Sequence, residues 1–285
     1  MVSLTAADGK TQINGLVFKP SDYDPGRKYP VIDYIYGGPQ TAYVPTSFAH
    51  GAYLEAASLA ELGFITVIMD GRGSAQRDVA FHTASYGKVE SASNLEDHIA
   101  GIRQLSAVDP AIDGSRVGII GFSAGGYMAA SALLRYPDFF KVGVAASGNH
   151  DQRLFWGTWG ERYEGYPVGD NYGAQANSTY AANLHGKLLL IQGLLDSGVH
   201  PAQVFQLEQA LIEHNKDFDL LLLPRAHHDI SGYGTRRAWD YFVAHLAGDS
   251  PPQEFLLKSR LDYEIELTAA MGIDLNVEKK EAARK

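Results

Sequence analysis

Three segments of the chain hold residues that together could carry out acyl transfer. GFSAGG (121–126) places Ser123 between glycines at 121 and 125. LLDSGVH (194–200) holds a single carboxylate, Asp196, and PRAHHDISGYG (224–234) holds two adjacent histidines, His227 and His228. A serine hydroxyl attacks a carbonyl well only when a base removes its proton, and an imidazole of near-neutral pKa can take that proton and return it to the leaving group. An ionised carboxylate behind the ring fixes its tautomer and stabilises the cation that forms. Ser123, Asp196 and one histidine of the pair are therefore the candidate nucleophile, acid and base, and position in the segment does not choose between His227 and His228. The rival chemistry for a His-His-Asp run is metal binding. It needs further converging ligands, and no HExxH or comparable spacing occurs, so neither a metal nor another cofactor is expected. His50, His82, His98, His150, His185, His214 and His245 read as surface or structural residues, and His200 as support for the acid segment. The absence of cysteine excludes thiol catalysis, disulfides and thiolate metal sites.

The elements around these segments decide whether they can meet. Short apolar runs at 12–20, 31–36, 64–70, 116–121, 141–147, 188–193 and 217–224 read as strands. Amphipathic stretches at 51–63, 91–107, 123–136, 201–215 and 234–246 read as helices between them. In the second helix, Leu95, Ile99, Ile102 and Leu105 fall on one face. Strands of continuous Val, Ile and Leu alternating with helices predict a mostly parallel sheet covered on both faces, with the ligand site at the carboxyl ends of the strands. Every candidate residue lies at such an end. Ser123 sits where RVGII runs into an Ala-rich helix. That is the strand-turn-helix elbow of the α/β-hydrolase fold, in which glycines flank a strained serine and the partners follow in the order Ser, Asp, His. The hydrolase domain is expected over 1–248. GDSPPQEF begins a C-terminal extension over 249–285 that is charged and expected to be partly exposed.

The chain has 285 residues, 45% of them hydrophobic, enough to bury a large core in one α/β domain without staples. Its formal charge of −9 and the lack of any Lys/Arg-rich run argue against nucleic acid or an anionic membrane as partner. No apolar run reaches the length of a membrane span, and MVSLTAADGK has no signal-peptide character, so a soluble chain is expected. These features fix no compartment.

The ordered motifs resemble the catalytic domain of the prolyl oligopeptidase superfamily, in its dipeptidyl peptidase IV branch. The likeness runs from DGKTQINGLVFKPSDYDP (8–25) to about residue 246. It is carried by YIYGGPQ (34–40), MDGRGS (69–74), GFSAGGY (121–127), WGERYEGYP (159–167), DSGVH (196–200) and HDI (228–230). The resemblance implies a triad of Ser123, Asp196 and His228. It implies an oxyanion site formed by the Tyr36 hydroxyl and the backbone N–H of Ala124, and a pocket walled by Phe155 and Trp159 for the residue before the scissile bond. Glu161, Arg162 and Tyr163 would then belong to a structural loop. A homodimer through the hydrolase domain would fit the family. The chain departs from the pattern at Gly198, where the family has Asn, at Phe155 and Trp159, where it has tyrosines, and at Gln152, where it has Trp.

Family members also carry an N-terminal β-propeller that covers the site and supplies paired glutamates for the substrate amino terminus. This sequence opens at the catalytic domain, so two expectations follow: a piece of a longer protein, or a free-standing hydrolase. The resemblance itself implies a peptidase acting on peptides. The second favours a carboxylesterase acting on small esters. A non-catalytic binding module built on the same scaffold is a third reading, weakened because all triad candidates are present.

Overall fold

The computed structural model describes residues 1–45, 47, 51–258, 266–268 and 270. The apolar runs form an eight-stranded sheet: β1 (Val2–Thr5), β2 (Gln12–Phe18), β3 (Tyr29–Ile35), β4 (Ile65–Asp70), β5 (Ile112–Phe122), β6 (Phe140–Ala146), β7 (Lys187–Gly193) and β8 (Asp219–Leu223). Their spatial order is β1-β2-β4-β3-β5-β6-β7-β8. β1 and β2 pair antiparallel at one edge, and every pairing from β4 to β8 is parallel. β1, with only Leu4 buried, is too short and polar to stand out in the sequence.

Alternate residues of the strands feed two separate cores, which is why the runs are apolar at most positions on both faces. Val31, Ile65, Val67 and Ile119 face one core with the helices α3 (Leu95–Val108), α4 (Ala124–Arg135) and α7 (Ala202–Glu213). Ile32, Ile68, Ile120 and Val144 face the other with α1 (Gly51–Glu61) and α8 (Tyr233–Phe242). The helix expected over 91–107 begins at Leu95, because the Asn94 side chain accepts from the Glu96 N–H and caps it there. The four apolar residues assigned to its inner face are all buried. Three shorter helices lie in the connections: α2 (Val79–His82) after β4, and α5 (Gly157–Glu164) and α6 (Asp170–Gln175) between β6 and β7.

Chain order along the sheet reverses at β3. From there one crossover leads outward through α1 to β4, and β5 sits on β3's other side. Such a reversal leaves a crevice at the strand ends, and the segments after β3 and β5 both open into it. Of the extension expected from 249, residues 259–265, 269 and 271–285 lie outside the described residues. Residues 249–258 are largely exposed, with the Pro252 carbonyl accepting from Arg236. His50 also lies outside the described residues. Among the described residues no helix is long and apolar enough to cross a membrane.

One buried network imitates a catalytic arrangement. His98 Nδ1 lies 2.8 Å from Asp33 Oδ2, and His98 Nε2 lies 3.0 Å from Ser93 Oγ. All three side chains are buried. Burial by itself would lower the His98 pKa, but the Asp33 carboxylate outweighs it and the net shift is upward. The pair ties β3 to α3. With no access for substrate, its role is structural.

Candidate active site

The position of Ser123 is set by backbone geometry. Ser123 has φ 59° and ψ −121°, a left-handed conformation that an L-residue holds only when its surroundings force it. The surroundings here are tight. A Cβ at Gly121 would sit 2.2 Å from the Gly125 carbonyl oxygen, and a Cβ at Gly125 would sit 2.3 Å from that of Ile35. Glycine at both positions lets β3, β5 and α4 approach closely enough to hold the turn. The Ser123 N–H donates to the Ala146 carbonyl at 2.8 Å, tying the elbow to the end of β6. Ala124 opens α4, so its N–H is one of those with no acceptor inside the helix, at the positive end of the dipole.

Two further strand-end loops reach this hydroxyl. His228 Nε2 lies 3.0 Å from Ser123 Oγ, and His228 Nδ1 lies 2.7 Å from Asp196 Oδ2. Asp196 is 3% exposed. Its Oδ1 accepts from the backbone N–H groups of Gly198 (2.9 Å) and Val199 (2.8 Å). These bonds fix the carboxylate plane. The half-buried imidazole also packs on Phe122, with ring centroids 4.5 Å apart. His227, which the sequence left as an alternative, is exposed and lies in neither of the two cavities that flank His228. His200 shapes the acid loop from its far end: its Nδ1 accepts from the Ala202 N–H at the start of α7.

Tyr36 follows the last residue of β3, and its hydroxyl is within hydrogen-bonding reach of Ser123 and Gln40. Burial raises its pKa, against the opposing effect of those two bonds, so it carries its proton at neutral pH and can donate it in a hydrogen bond. The last residue of β4 braces the segment beyond Tyr36. Asp70 accepts from the N–H groups of Tyr43 (2.6 Å) and Val44 (3.0 Å), and Tyr43 stacks on Tyr36 at 5.2 Å between centroids.

A cavity of about 220 Å³ adjoins these groups. Ser123, Ala124, Tyr36, Phe155, Trp159 and Gly198 all line it. Trp159 is held by its Nε1–H donating to Gln40 Oε1 at 3.2 Å. Gln152 is not part of the lining. It is buried, bonded to the side chain and carbonyl of Asn149. The segment expected as a loop is helical instead: Glu161, Arg162 and Tyr163 lie in α5. Only Gly160, Tyr163 and Glu164 are buried there, too little apolar repeat to read as a helix in sequence. The Trp159–Tyr163 pair, one turn apart with rings 5.1 Å between centroids, stabilises it. Trp156, stacked on Phe155 and lining the same cavity, was not singled out by sequence reasoning, nor were Gln40 and Asn149. A third aromatic within FWGTW was the only signal for Trp156.

Comparison with known proteins gives one family. The sequence model of the prolyl oligopeptidase family matches residues 50–249. Mouse (Mus musculus) dipeptidyl peptidase 8 is 35% identical over 225 residues, covering 76% of this chain and 25% of that protein. Bovine (Bos taurus) prolyl endopeptidase FAP is 30% identical over 232 residues, covering 80% of this chain and 30% of that protein. The chain thus spans about a quarter to a third of the length of these relatives. A crystal structure from Bacteroides ovatus, provisionally assigned as a dipeptidyl aminopeptidase IV, superposes with a TM-score of 0.79 at 30% identity, covering 87% of this chain and 35% of that one. The fold is that of an α/β hydrolase, and the chain belongs to the prolyl oligopeptidase family, a family of serine-type peptidases.

Proposed function

We propose that the chain cleaves peptide bonds by acyl transfer, with Ser123 as nucleophile, His228 as base and Asp196 as its orienting acid. The observation that carries this reading is the unbroken hydrogen-bond relay from hydroxyl to imidazole to carboxylate, at 3.0 and 2.7 Å. Ser123 Oγ attacks the carbonyl carbon while its proton passes to His228 Nε2. The negative oxygen is stabilised by the Tyr36 hydroxyl and the Ala124 N–H. As the tetrahedral species collapses, the carbon–nitrogen bond breaks and the His228 proton goes to the departing amine. Water then attacks the acyl carbon, giving a proton to the same ring; the ester bond to Ser123 Oγ breaks, the ring returns that proton to Oγ, and the acid product leaves. Phe155 and Trp159 form the pocket for the residue before the scissile bond. The named relatives are peptidases, which favours amide over simple ester substrates.

Labelling with a fluorophosphonate tests the nucleophile. The wild-type chain is expected to be labelled at Ser123 and Ser123→Ala not at all; equal labelling of both would remove Ser123 from the mechanism. Tyr36→Phe tests the oxyanion donor. It removes one oxygen at a site where a donor faces the developing charge, so kcat should fall about 10²–10³-fold. An unchanged kcat in steady-state hydrolysis would assign Tyr36 to packing alone.

A further inference from the structure

A second cavity, of about 350 Å³, opens beside the first and shares with it only Tyr36 and His228. The first cavity holds Ser123, the oxyanion groups and the Phe155–Trp159 walls, which makes it the acyl side. The leaving group must depart where His228 Nε2 can protonate it, so the part of the substrate beyond the cleaved bond lies past the imidazole. The second cavity begins there.

Its walls have a distinct chemistry. Tyr34, Tyr43 and Phe122 give it aromatic faces, and Glu55 and Asp229 give it two carboxylates. No Lys or Arg is among the described residues that line it. The Asp229 oxygens are occupied by the Ser231 N–H (2.9 Å) and hydroxyl (2.7 Å). Glu55 accepts a short hydrogen bond from the Tyr34 hydroxyl. Tyr34 stacks on Tyr43 with centroids 5.7 Å apart, and Tyr43 stacks on Tyr36, so an aromatic row runs from the oxyanion phenol to the glutamate. Burial raises the Glu55 pKa and pushes the Tyr43 phenol up to about 12. A carboxyl held in a partly desolvated, aromatic cavity gains most from a cation. Lysine and arginine suit it best, because their aliphatic stems cover apolar walls, their charge lies well at tyrosine faces, and their head groups reach a carboxylate.

We infer that this cavity receives the side chain of the residue after the scissile bond, and that Glu55 makes lysine or arginine the preferred residue there. The inference rests on the acyl-transfer reading above and adds a substrate class to it.

The test uses internally quenched peptides that are identical on the acyl side and carry Lys, Arg, norleucine or Glu after the cleaved bond. Norleucine keeps the stem of lysine and lacks its charge. For the wild-type chain, kcat/KM is expected to be at least about tenfold higher for Lys and Arg than for norleucine, a gap of about 1.4 kcal/mol, with Glu lowest. Glu55→Gln should bring the Lys-to-norleucine ratio to within about twofold, and Glu55→Arg should turn the preference toward Glu. Thr235→Lys sets a fixed ammonium in the same cavity and should lower the ratio by itself, whether or not the Glu55 variants fold. A wild type that cleaves before Lys and norleucine equally overturns the inference, and so does a ratio that no variant moves. Fluorophosphonate labelling of the wild type is run in parallel. Labelling without the basic preference overturns this inference alone; no labelling overturns the acyl-transfer reading with it.

Discussion

His228→Ala should lower kcat/KM by about 10⁴–10⁶-fold, while His227→Ala should stay within about threefold of the wild type. The two residues are neighbours in one loop and differ entirely in what surrounds them. His228 lies between the Ser123 hydroxyl and the Asp196 carboxylate, packed against Phe122. Removing it leaves a hydroxyl with no base and a departing amine with no proton donor, so both halves of the reaction lose their proton transfer. The oxyanion groups and the pocket remain, which sets the residual rate. His227 is exposed, and its backbone carbonyl packs so close to Gly193 that a Cβ there would sit 2.2 Å away. Its contribution to the loop is thus through main chain that alanine retains. Steady-state kinetics on the same peptide for both variants, with thermal melts to show that each is folded, checks the expectation. A large loss in His227→Ala with activity kept in His228→Ala would move the base by one position.

That choice between neighbours shows where the sequence stops being informative. The sheet could be read directly, because strands buried on both faces are apolar at most positions, as in 64–70 and 188–193. The place of Ser123 could be read as well, since only a strand-to-helix elbow asks for glycine two residues before and two after a serine. What decides between His227 and His228 is the path of the loop after β8, and no local pattern encodes that path. The resemblance to a known family chose His228. The α5 segment was missed for a related reason. Its inward contact is the Trp159–Tyr163 pair, not a repeating apolar face. The Asp33–His98–Ser93 network gives the complementary lesson. It has triad distances, yet its residues come from β3 and around the start of α3 with no shared motif, and full burial tells it apart from the Ser123 site. Glu55 was invisible for the opposite reason: an acidic residue in a helix normally faces water, and only the cavity gives it another reading.

Asp196→Asn should cost about 10⁴ in kcat while leaving the fold and substrate binding in place. The substitution keeps size and one acceptor. The amide oxygen can take over the bonds that Oδ1 now accepts from the Gly198 and Val199 N–H groups, so the loop should hold its shape. The amide nitrogen then occupies the place of Oδ2, 2.7 Å from His228 Nδ1. Two donors cannot share that bond. The ring relieves the conflict by moving its proton from Nδ1 to Nε2, where Nδ1 can accept from the asparagine. Nε2 then carries a hydrogen toward Ser123 Oγ and has no lone pair to take the serine proton, so the relay is blocked by a tautomer with its geometry intact. Asp196→Ala differs in kind. It leaves the two N–H groups of a buried loop without their carboxylate, at a cost of about 1–3 kcal/mol for each unsatisfied group, and should lower both stability and activity. Comparing the pair by urea unfolding and single-turnover kinetics separates the carboxylate's work on the tautomer from its work on the loop. Equal stability loss in both variants, or an asparagine variant within tenfold of the wild type, would remove Asp196 from the proton relay and leave it as a loop brace.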